Sequence, residues 1–535
     1  MAAPDALHIE MTLGDALLDT YEREILDTYD RNILDLGWID VQDDVITDTP
    51  TVIFQGQKNG DAVDRVADAG TIKLVMNNND TNSGGVVGYY SPDRRNKRGG
   101  FGNGLRVRIG YTKDGITEWL SEGRVIDIKP VPGLLDNKLV DVSVGDWIEV
   151  ASRTPMPRVA IQEASTDESV LQAVIDALDD APTETDFSAG AYTYDYALTD
   201  VNDEETKILS VLQSIAQCGL GRIFITGSST SGEVLKYVSL YDLLSVVSPV
   251  AAFADEFMDT EVSRRANRRV KRVVVTGYPH AKDTAPVVLF TNPQEIQIAP
   301  GVEVEFSGFF RDPNDSSART IAAVNVLQPI VNTDYKFSSS SGSGTDMNAD
   351  LEITLWEVGA RSFRIKMVNN NPSVTGNLWF YQVRGEGLYP YDTVTYTAVD
   401  TSVKEGEGVT INYDLPYHDD YYNIKSIADA ILGWYNVEAT SMPFIEFVPS
   451  ASEADFEKFK VCKPGEVIAV SESVTGLSQS MVVIGRNIAI WHAGAYITER
   501  LYLMPVQQVE NSLYFTLDTL GQDDLDGDNT IIAFG

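Results

Sequence analysis

Short runs in which hydrophobic residues favour every second position narrow the fold more than any other feature of this chain. They are WIDVQDDVI from Trp38, TVIFQG from Thr51, TIKLVMNN from Thr71, LRVRIGY from Leu105, GRVIDIKP from Gly123 and LVDVSV from Leu139, with Gly and Asn between them. A strand sends successive side chains to opposite faces, so this period suits half-buried antiparallel strands and not a helix. The runs predict a first β-barrel-like domain over 37–155. Residues 1–36 read as a helical or mixed lead-in, with the apolar pairs Ala16-Leu17, Ile25-Leu26 and Ile33-Leu34 set among acids.

After residue 155 the period changes. Ser165 and Glu168 have the spacing of a capping box, and Val170, Leu171, Val174, Ile175 and Leu178 follow at helical spacing. A second helix is expected from about Glu204 through Ile208, Leu212 and Ile215 to a cap at Gly219. The runs RIFITG and VLKYVSLY then predict a hairpin around Gly227 to Gly232, which completes a small α+β module over 156–245. Residues 246–299 read as a β segment linking back to the first domain. The runs VEVEFSGFF, DLEITLWEV, SFRIKMVNN and NLWFYQVRGEGL, with a Ser/Gly loop at Ser338 to Gly344, predict a β-sandwich over 300–405. A helix from about Ile424 to Trp434 and the runs EVIAVSE, SMVVIGRN, RLYLMPVQQV and SLYFTLD give a C-terminal α+β or barrel domain over 406–535. The fold class is therefore mainly β with α+β modules. At roughly 150 residues per domain, a chain of 535 residues suggests about three or four domains. No internal repeat is evident, which argues against a solenoid.

Charge excludes several functions. The chain has 41 Lys+Arg against 79 Asp+Glu, a formal net charge of −38. Stable binding to nucleic acid or anionic lipid gathers cations to neutralise phosphates, and this chain does the reverse. Its 43% hydrophobic content is that of a folded protein and not of a disordered acidic chain. Cys218 and Cys462 are too few for a disulfide framework and read as two buried thiols. The start, MAAPDALHIEMTLGDALLDT, is acidic where a secretory signal needs a basic end, and the apolar stretch from Leu243 to Ala254 is broken by Ser245, Ser248 and Pro249. The expectation is a soluble chain with no membrane anchor, not exported by its own sequence.

The motifs that could carry chemistry have plainer readings. Gly227-Ser-Ser-Thr-Ser-Gly232 has the glycine spacing of a phosphate-binding loop, but Glu233 and Val234 stand where that loop needs Lys and Ser/Thr, so a hairpin turn is expected. Gly100-Phe-Gly-Asn-Gly104 precedes a strand and not a helix, which makes it a turn. His8, His280, His418 and His492 are scattered and give no helix-borne metal pair. Asp523, Asp524, Asp526 and Asp528 crowd like calcium ligands without the EF-hand register or its terminal Glu; a solvated acidic turn is expected, with a cation site as the alternative. Carboxylate pairs for glycoside hydrolysis are permitted by composition and indicated by nothing. No catalytic residue, cofactor or metal ligand is assigned, and the chain is expected not to be an enzyme.

Two basic clusters oppose the general charge. Arg94, Arg95, Lys97 and Arg98 lie beside glycines in a long loop, and Arg264, Arg265, Arg268, Arg269, Lys271 and Arg272 directly precede the strand VVVTGY. Acidic copies need local basic patches if they are to associate, so contact between proteins is expected at both. Solvated segments are the plainer alternative.

The order of strands and turns resembles the tail hub or tail-tip proteins (baseplate hub, minor tail) of long-tailed bacteriophages. The resemblance is carried by Trp38-Ile-Asp-Val41, a strand ending at Gly56, Ala69-Gly-Thr-Ile-Lys-Leu-Val-Met-Asn77, Tyr90-Ser-Pro92, Gly104-Leu-Arg-Val-Arg-Ile109 and Gly123-Arg-Val-Ile126. It continues through Asn267-Arg-Arg-Val270, Thr333-Asp-Tyr335, Asp350-Leu-Glu-Ile353, Val368-Asn-Asn370, Val383-Arg-Gly385, Leu517-Asp518 and Leu525-Asp-Gly-Asp-Asn529. The resemblance implies a structural virion protein at the tail tip, assembled in the host cytoplasm. It further implies a homotrimeric ring in which two barrel-like domains per subunit give pseudo-sixfold symmetry. The second such domain would be 240–300 joined to 405–535, or the C-terminal part alone, with the sandwich inserted or peripheral. The implied partners are the distal tail or tail-tube protein, the tape-measure protein and tail fibre or receptor-binding proteins, with DNA only in transit. The sequence stops at Gly535 without the long C-terminal extension some hubs carry, so host recognition and wall lysis would fall to other proteins. A carbohydrate- or receptor-binding tail protein is the alternative, with Trp379, Tyr381 and Tyr389 as its aromatics.

Overall fold

The computed structural model describes residues 3–13, 37–58, 64–131, 138–201, 205–245, 248–264, 269–315, 317–341, 344–404, 408–435 and 440–506. It is mainly β and multidomain. A 13-stranded sheet is its largest element, in the order Asp259–Thr260, Phe444–Phe447, Tyr496–Pro505, Leu477–Trp491, Thr51–Gly56, Thr71–Asn77, Leu139–Gly145, Ile116–Val131, Arg106–Lys113, Ala6–Thr12, Trp38–Asp40. Val467–Glu472 also pairs with Leu477–Trp491, and Ala251–Ala254 lies parallel to Val467–Glu472. The sheet curls, so that Val45 bridges Met76 and the Ile46 N–H reaches the Val75 carbonyl.

The runs read as strands between Thr51 and Val144 are strands, and their alternation buries one face, whereas WIDVQDDVI is a strand only over Trp38–Asp40 and then turns through a 3-10 helix at Gln42–Asp44. In Thr71–Asn77 the buried positions are Ile72, Leu74 and Met76. The lead-in expected over 1–36 needs a correction: Ala6–Thr12 is a strand, buried at Leu7, Ile9 and Met11, and it pairs with Arg106–Lys113. Three alternating apolar residues are enough for a strand when a partner edge is waiting. The apolar pairs at Ala16-Leu17, Ile25-Leu26 and Ile33-Leu34 lie outside the described residues.

The joint between the two ends of the chain is the pairing of Thr51–Gly56 with Leu477–Trp491, from Thr51 opposite Ile490 to Gly56 opposite Gly485. Gly56 has φ +83, and a Cβ there would overlap the Ile484 carbonyl oxygen. The core beneath is continuous, running from Ile9, Val107 and Val142 to Phe253, Phe447, Phe456 and Leu501. Tyr111 packs its ring on Phe456 at 5.4 Å and Phe459 at 5.7 Å.

The α+β module has the two expected helices, Asp167–Asp176 and Ile208–Cys218, with Val170, Leu171, Val174 and Ile175 buried on the first. The expected capping box does not form. Thr166 occupies the N-cap, Ser165 pairs in a strand with Tyr194, and Glu168 accepts a hydrogen bond from the Gly190 N–H at 2.6 Å. The module's core also takes in distant chain: Val270–Gly277, Val394–Val399 and Val409–Leu415 form a three-stranded sheet, and helix Tyr421–Tyr435 buries Ile424, Ile427 and Ile431 against it. These residues were expected in other units.

The sandwich begins earlier than residue 300. His280–Lys282, Val287–Asn292, Ile296–Ile298, Ala322–Val324 and Tyr335–Ser338 all pair with the long strand Gly376–Pro390. A second sheet, Glu303–Phe309, Ser362–Asn369 and Leu351–Val358, faces it across Leu289, Phe337, Leu378, Phe363 and Ile365. Among the described residues no helix is long and apolar enough to cross a membrane.

Candidate assembly interface

The first basic cluster sits in a loop that has no strands and yet is held throughout. Thr71–Asn77 ends at one side and Arg106–Lys113 begins at the other. Loops of this length without secondary structure are uncommon unless they serve a function. Asn78 accepts from the Tyr90 N–H at 2.9 Å, donates to Ser91 Oγ at 2.9 Å, and through its own N–H binds the Lys138 carbonyl. Tyr90 and Phe101 are buried in the sheet's core. The central anchor is Asp44, 2% exposed, which accepts from the Ser83 N–H at 2.6 Å, from the Tyr90 hydroxyl, and from Arg98 at 3.3 Å. Burial, with the Asp44 carboxylate, pushes the Tyr90 hydroxyl far above its usual range. Nothing local in the sequence marks this anchor, because Asp44 and Arg98 are 54 positions apart.

That arrangement divides the cluster. Arg98 is an internal counter-charge. Arg94, Arg95 and Lys97 are exposed, and among the described residues none of the three has an ion pair. Lys97 Nζ donates to the Pro92 carbonyl at 2.7 Å.

The second cluster is less concentrated than its sequence. Arg265, Arg268 and the side chain of Arg264 lie outside the described residues; the Arg264 backbone pairs with Thr440. Arg269 reaches Asp400 at 3.3 Å and Ser402 at 3.0 Å. Lys271 and Arg272 lie on Val270–Gly277, with Arg272 exposed on the face away from helix Tyr421–Tyr435. No described contact brings the two clusters together.

A feature the sequence reading missed lies just before the second cluster. In 255–261, Asp255, Glu256, Met258 and Asp259 are exposed, Met258 at 62%. Lys458 pairs with Glu256, and Arg500 with Asp259 at 3.4 Å and Glu446 at 2.7 Å, so carboxylates still outnumber cations there. The signal was visible as an acidic run followed at once by a basic one.

The glycine motifs serve close packing. Gly227 to Gly232 is the turn of the expected hairpin, Arg222–Thr226 with Val234–Val238. Ser228 accepts from the Trp119 N–H at 2.9 Å, and a Cβ on Gly227 would overlap the Trp119 carbonyl oxygen. Glu233, in the place of a phosphate-loop lysine, is fully buried beside Arg124 at 3.0 Å and Arg106 at 3.6 Å. Gly100 and Gly104 have φ +74 and +82 in a turn.

The remaining candidates are structural as placed. His418 is buried, its Nε2 2.9 Å from the Cys218 carbonyl, and burial lowers its pKa to about 4. Cys218 and Cys462 are buried free thiols, as expected. Among the described residues no three His, Cys, Asp or Glu side chains could hold a metal ion. Asp523, Asp524, Asp526 and Asp528 lie outside them. Of the sandwich aromatics, Tyr381 is core at 2% exposure, Trp379 donates to Ser338 Oγ at 2.8 Å, and the Tyr389 hydroxyl donates to Asp283 at 2.9 Å. Among the described residues the exposed aromatics of that module are Phe309 and Trp356, with Tyr391 directly after its long strand.

No family model matches the chain, and no curated protein matches it. Among solved structures it is similar to the tail protein of Neisseria meningitidis MC58, at 7% identity and TM-score 0.47, covering 95% of this chain and 99% of that one. It is also similar to the 43 kDa tail protein of prophage MuSo2 from Shewanella oneidensis, at 9% identity and TM-score 0.44, covering 94% and 99%. A third is prophage tail protein gp18 of Listeria monocytogenes EGD-e, at 6% identity and TM-score 0.41, covering 87% and 91%. All three are tail proteins.

Proposed function

We propose that this chain is a structural tail component, a homotrimeric hub that closes the distal end of a tail tube and opens for genome passage. It works by assembly and conformational gating and not by catalysis, and it needs no cofactor. The strand-and-turn resemblance names the class. One observation supports the reading: strand-rich units from the two ends of the chain share one core and are joined by the ladder between Thr51–Gly56 and Leu477–Trp491. Backbone pairing makes a stiff joint, and a stiff subunit with two β units is what a ring of three needs to offer a sixfold repeat to a tube. The partners would be the distal tail or tube protein, the tape-measure protein and receptor-binding proteins, at the virion tail tip. Three copies carry 3 × −38 = −114 charges, and an acidic wall repels phosphate, so DNA slides without sticking.

Light scattering on the full chain tests the ring. A mass of three chains is expected; a monomer at every concentration, or imaging of a ring whose lumen is lined mainly by Lys and Arg, would overturn the reading. A receptor- or glycan-binding role has one observation in its favour, Trp356 at 43% exposure on the sandwich with Arg364 over its ring at 5.7 Å. Glycan-array binding lost on Trp356→Ala would favour it.

A further inference from the structure

We propose that the loop tip at Arg94, Arg95 and Lys97 docks on the acidic turn at Asp255, Glu256 and Asp259 of a second copy of this chain, head to tail. The inference rests on the ring reading above and names the surfaces that would build it.

Four observations converge on this pairing. In a chain with 79 carboxylates for 41 cations, a cation is usually within reach of an acid, yet Arg94, Arg95 and Lys97 stand exposed without an ion pair among the described residues. Asp80 and Asp93 are the exposed carboxylates of the same loop, and neither pairs with them. Second, the tip is pre-organised: Asp44, Arg98, Tyr90 and Asn78 fix its base, so docking it costs little ordering entropy. Third, the acidic turn has the marks of an unfinished surface. Among the described residues Asp259–Thr260 is the terminal strand of the 13-stranded sheet and Ala251–Ala254 pairs on one side only, and Met258 lies exposed between the acids. Open strand edges and an exposed apolar anchor within a charged rim are features of contact surfaces. Fourth, a shallow concavity of about 400 Å3 opens beside that turn over Ala252, Ala254, Ala469 and Ser480, small side chains that leave room for a loop tip.

The loop and the turn are different surfaces of one molecule, and no described contact joins them within the chain. Their pairing is therefore heterologous, the type that closes into a ring when the rotation allows and otherwise runs on as a filament.

A charge swap on the full chain tests this. Arg94→Glu with Arg95→Glu and Lys97→Glu, and separately Asp255→Lys with Glu256→Lys, should each raise the concentration for half-association about tenfold or more. A chain carrying both reversals should recover association, because every loop and turn that meet in a ring of three are then complementary again. Raising salt from 0.1 to 1 M shortens the screening length from about 10 Å to about 3 Å and should weaken the wild type in the same sense. All substituted positions are exposed, and an unchanged thermal transition shows that each variant is folded. If the wild type associates and the reversals leave it unaltered, or the chain carrying both reversals stays dissociated, this pairing of surfaces is wrong while the ring reading stands. If the wild type is monomeric throughout, the ring reading falls and takes this pairing with it.

Discussion

The 13-stranded sheet and the sandwich both bury one face of short strands, but they use the chain in opposite ways. The sheet joins Thr51–Gly56 to Leu477–Trp491, so residues from both ends of the sequence must meet before its core closes. The sandwich is drawn entirely from residues between His280 and Pro390, and these two lie opposite each other in one ladder, so the chain enters and leaves at one place. It touches the α+β module through a small apolar cluster, Ile161, Ala322, Val324, Ala360 and Leu388, and a few polar contacts. The sheet is where the molecule is made into one body, and the sandwich is an attachment with its own core. Folding of the sheet depends on distant pairing, that of the sandwich on local contacts, and the two should respond separately to change.

Matched glycine substitutions break the comparison most strongly. Gly56 in the sheet joint and Gly301 in the sandwich both have positive φ, +83 and +69, but a Cβ at Gly56 meets the Ile484 carbonyl oxygen while nothing lies within 4 Å at Gly301. Gly56→Ala combines a left-handed alanine with a backbone overlap and should cost on the order of 4 kcal/mol. Gly301→Ala carries the conformational penalty alone, about 1 kcal/mol. Denaturant unfolding followed by probes in each region should show the sheet's transition collapse for Gly56→Ala with the sandwich transition nearly unmoved. Equal losses for the two variants would mean that the joint is not strained as drawn.

Acid should shift the two regions in opposite directions. Asp146, which follows the sheet strand Leu139–Gly145 and caps helix Trp147–Arg153, is fully buried, and burial raises its pKa from 3.8 to about 7 against the hydrogen bonds it accepts. A carboxyl raised in the folded state contributes stability that is complete below its unfolded pKa and is lost as pH rises through the folded value. Glu499, buried with Arg486 at 2.6 Å, is raised to about 7 and Asp167 to about 6, with the same sign, while His418, lowered to about 4, acts in the other sense as pH falls below 6.5. In the sandwich, burial opposes ionisation of Asp334, but Arg384 at 2.6 Å and the Ile330 N–H hold its pKa below 3.8, so its contribution is present above that value and lost toward lower pH. The sheet and its adjoining module should lose stability as pH rises from about 4 to 7, and the sandwich as pH falls, first through His280, whose pKa burial lowers from 6.5, and then through Asp334 below about pH 4. Asp146→Asn keeps a good N-cap and removes that carboxyl's titration, so it should reduce the slope of the first profile, leaving the shares of Glu499 and Asp167, and leave the second untouched; identical profiles for Asp146→Asn and wild type would refute the assignment.

Much of this was legible because period is a local property. The strands from Thr51 to Gly145 and the helices around Val170, Leu212 and Ile427 follow from spacing alone. Pairing is not local. Nothing near Thr51 indicates that its partner lies at Ile490, and nothing near Val273 indicates that its sheet is completed by Thr397 and Asn412. The start of the sandwich was placed late because the strands of 280–298 look like any others; their membership is set by one partner, Gly376–Pro390. The basic loop shows the limit most clearly. Arg94, Arg95, Lys97 and Arg98 are equivalent in the sequence, and only a buried aspartate 54 positions from Arg98 decides which of them faces inward. The acidic turn was readable as a charge run, but its meaning depends on an open strand edge that no spacing reveals.

The smallest expected effect concerns the attachment itself. Arg158, from the α+β module, donates to Ser362 Oγ at 3.0 Å and lies 3.4 Å from Glu357, both on the sandwich. Glu357 keeps a second cation, Arg364 at 3.4 Å, so removing Arg158 leaves no buried carboxylate uncompensated. Arg158→Ala should therefore cost about 1 kcal/mol or less in either transition. Its effect should appear in the coupling between them: hydrogen exchange at the boundary strands should quicken, and the separation between the two unfolding midpoints should widen, while the sheet joint is undisturbed. The contrast with Gly56→Ala is one of connectivity. A ladder between the ends of the chain cannot be weakened without loosening the core beneath it, whereas a polar contact at the rim of a self-contained module can be lost with both cores intact. A loss above about 2 kcal/mol in both transitions would show instead that the sandwich is part of the stiff body, in which case Arg158 would belong with Arg486 and Arg124 among the buried charges that fix it.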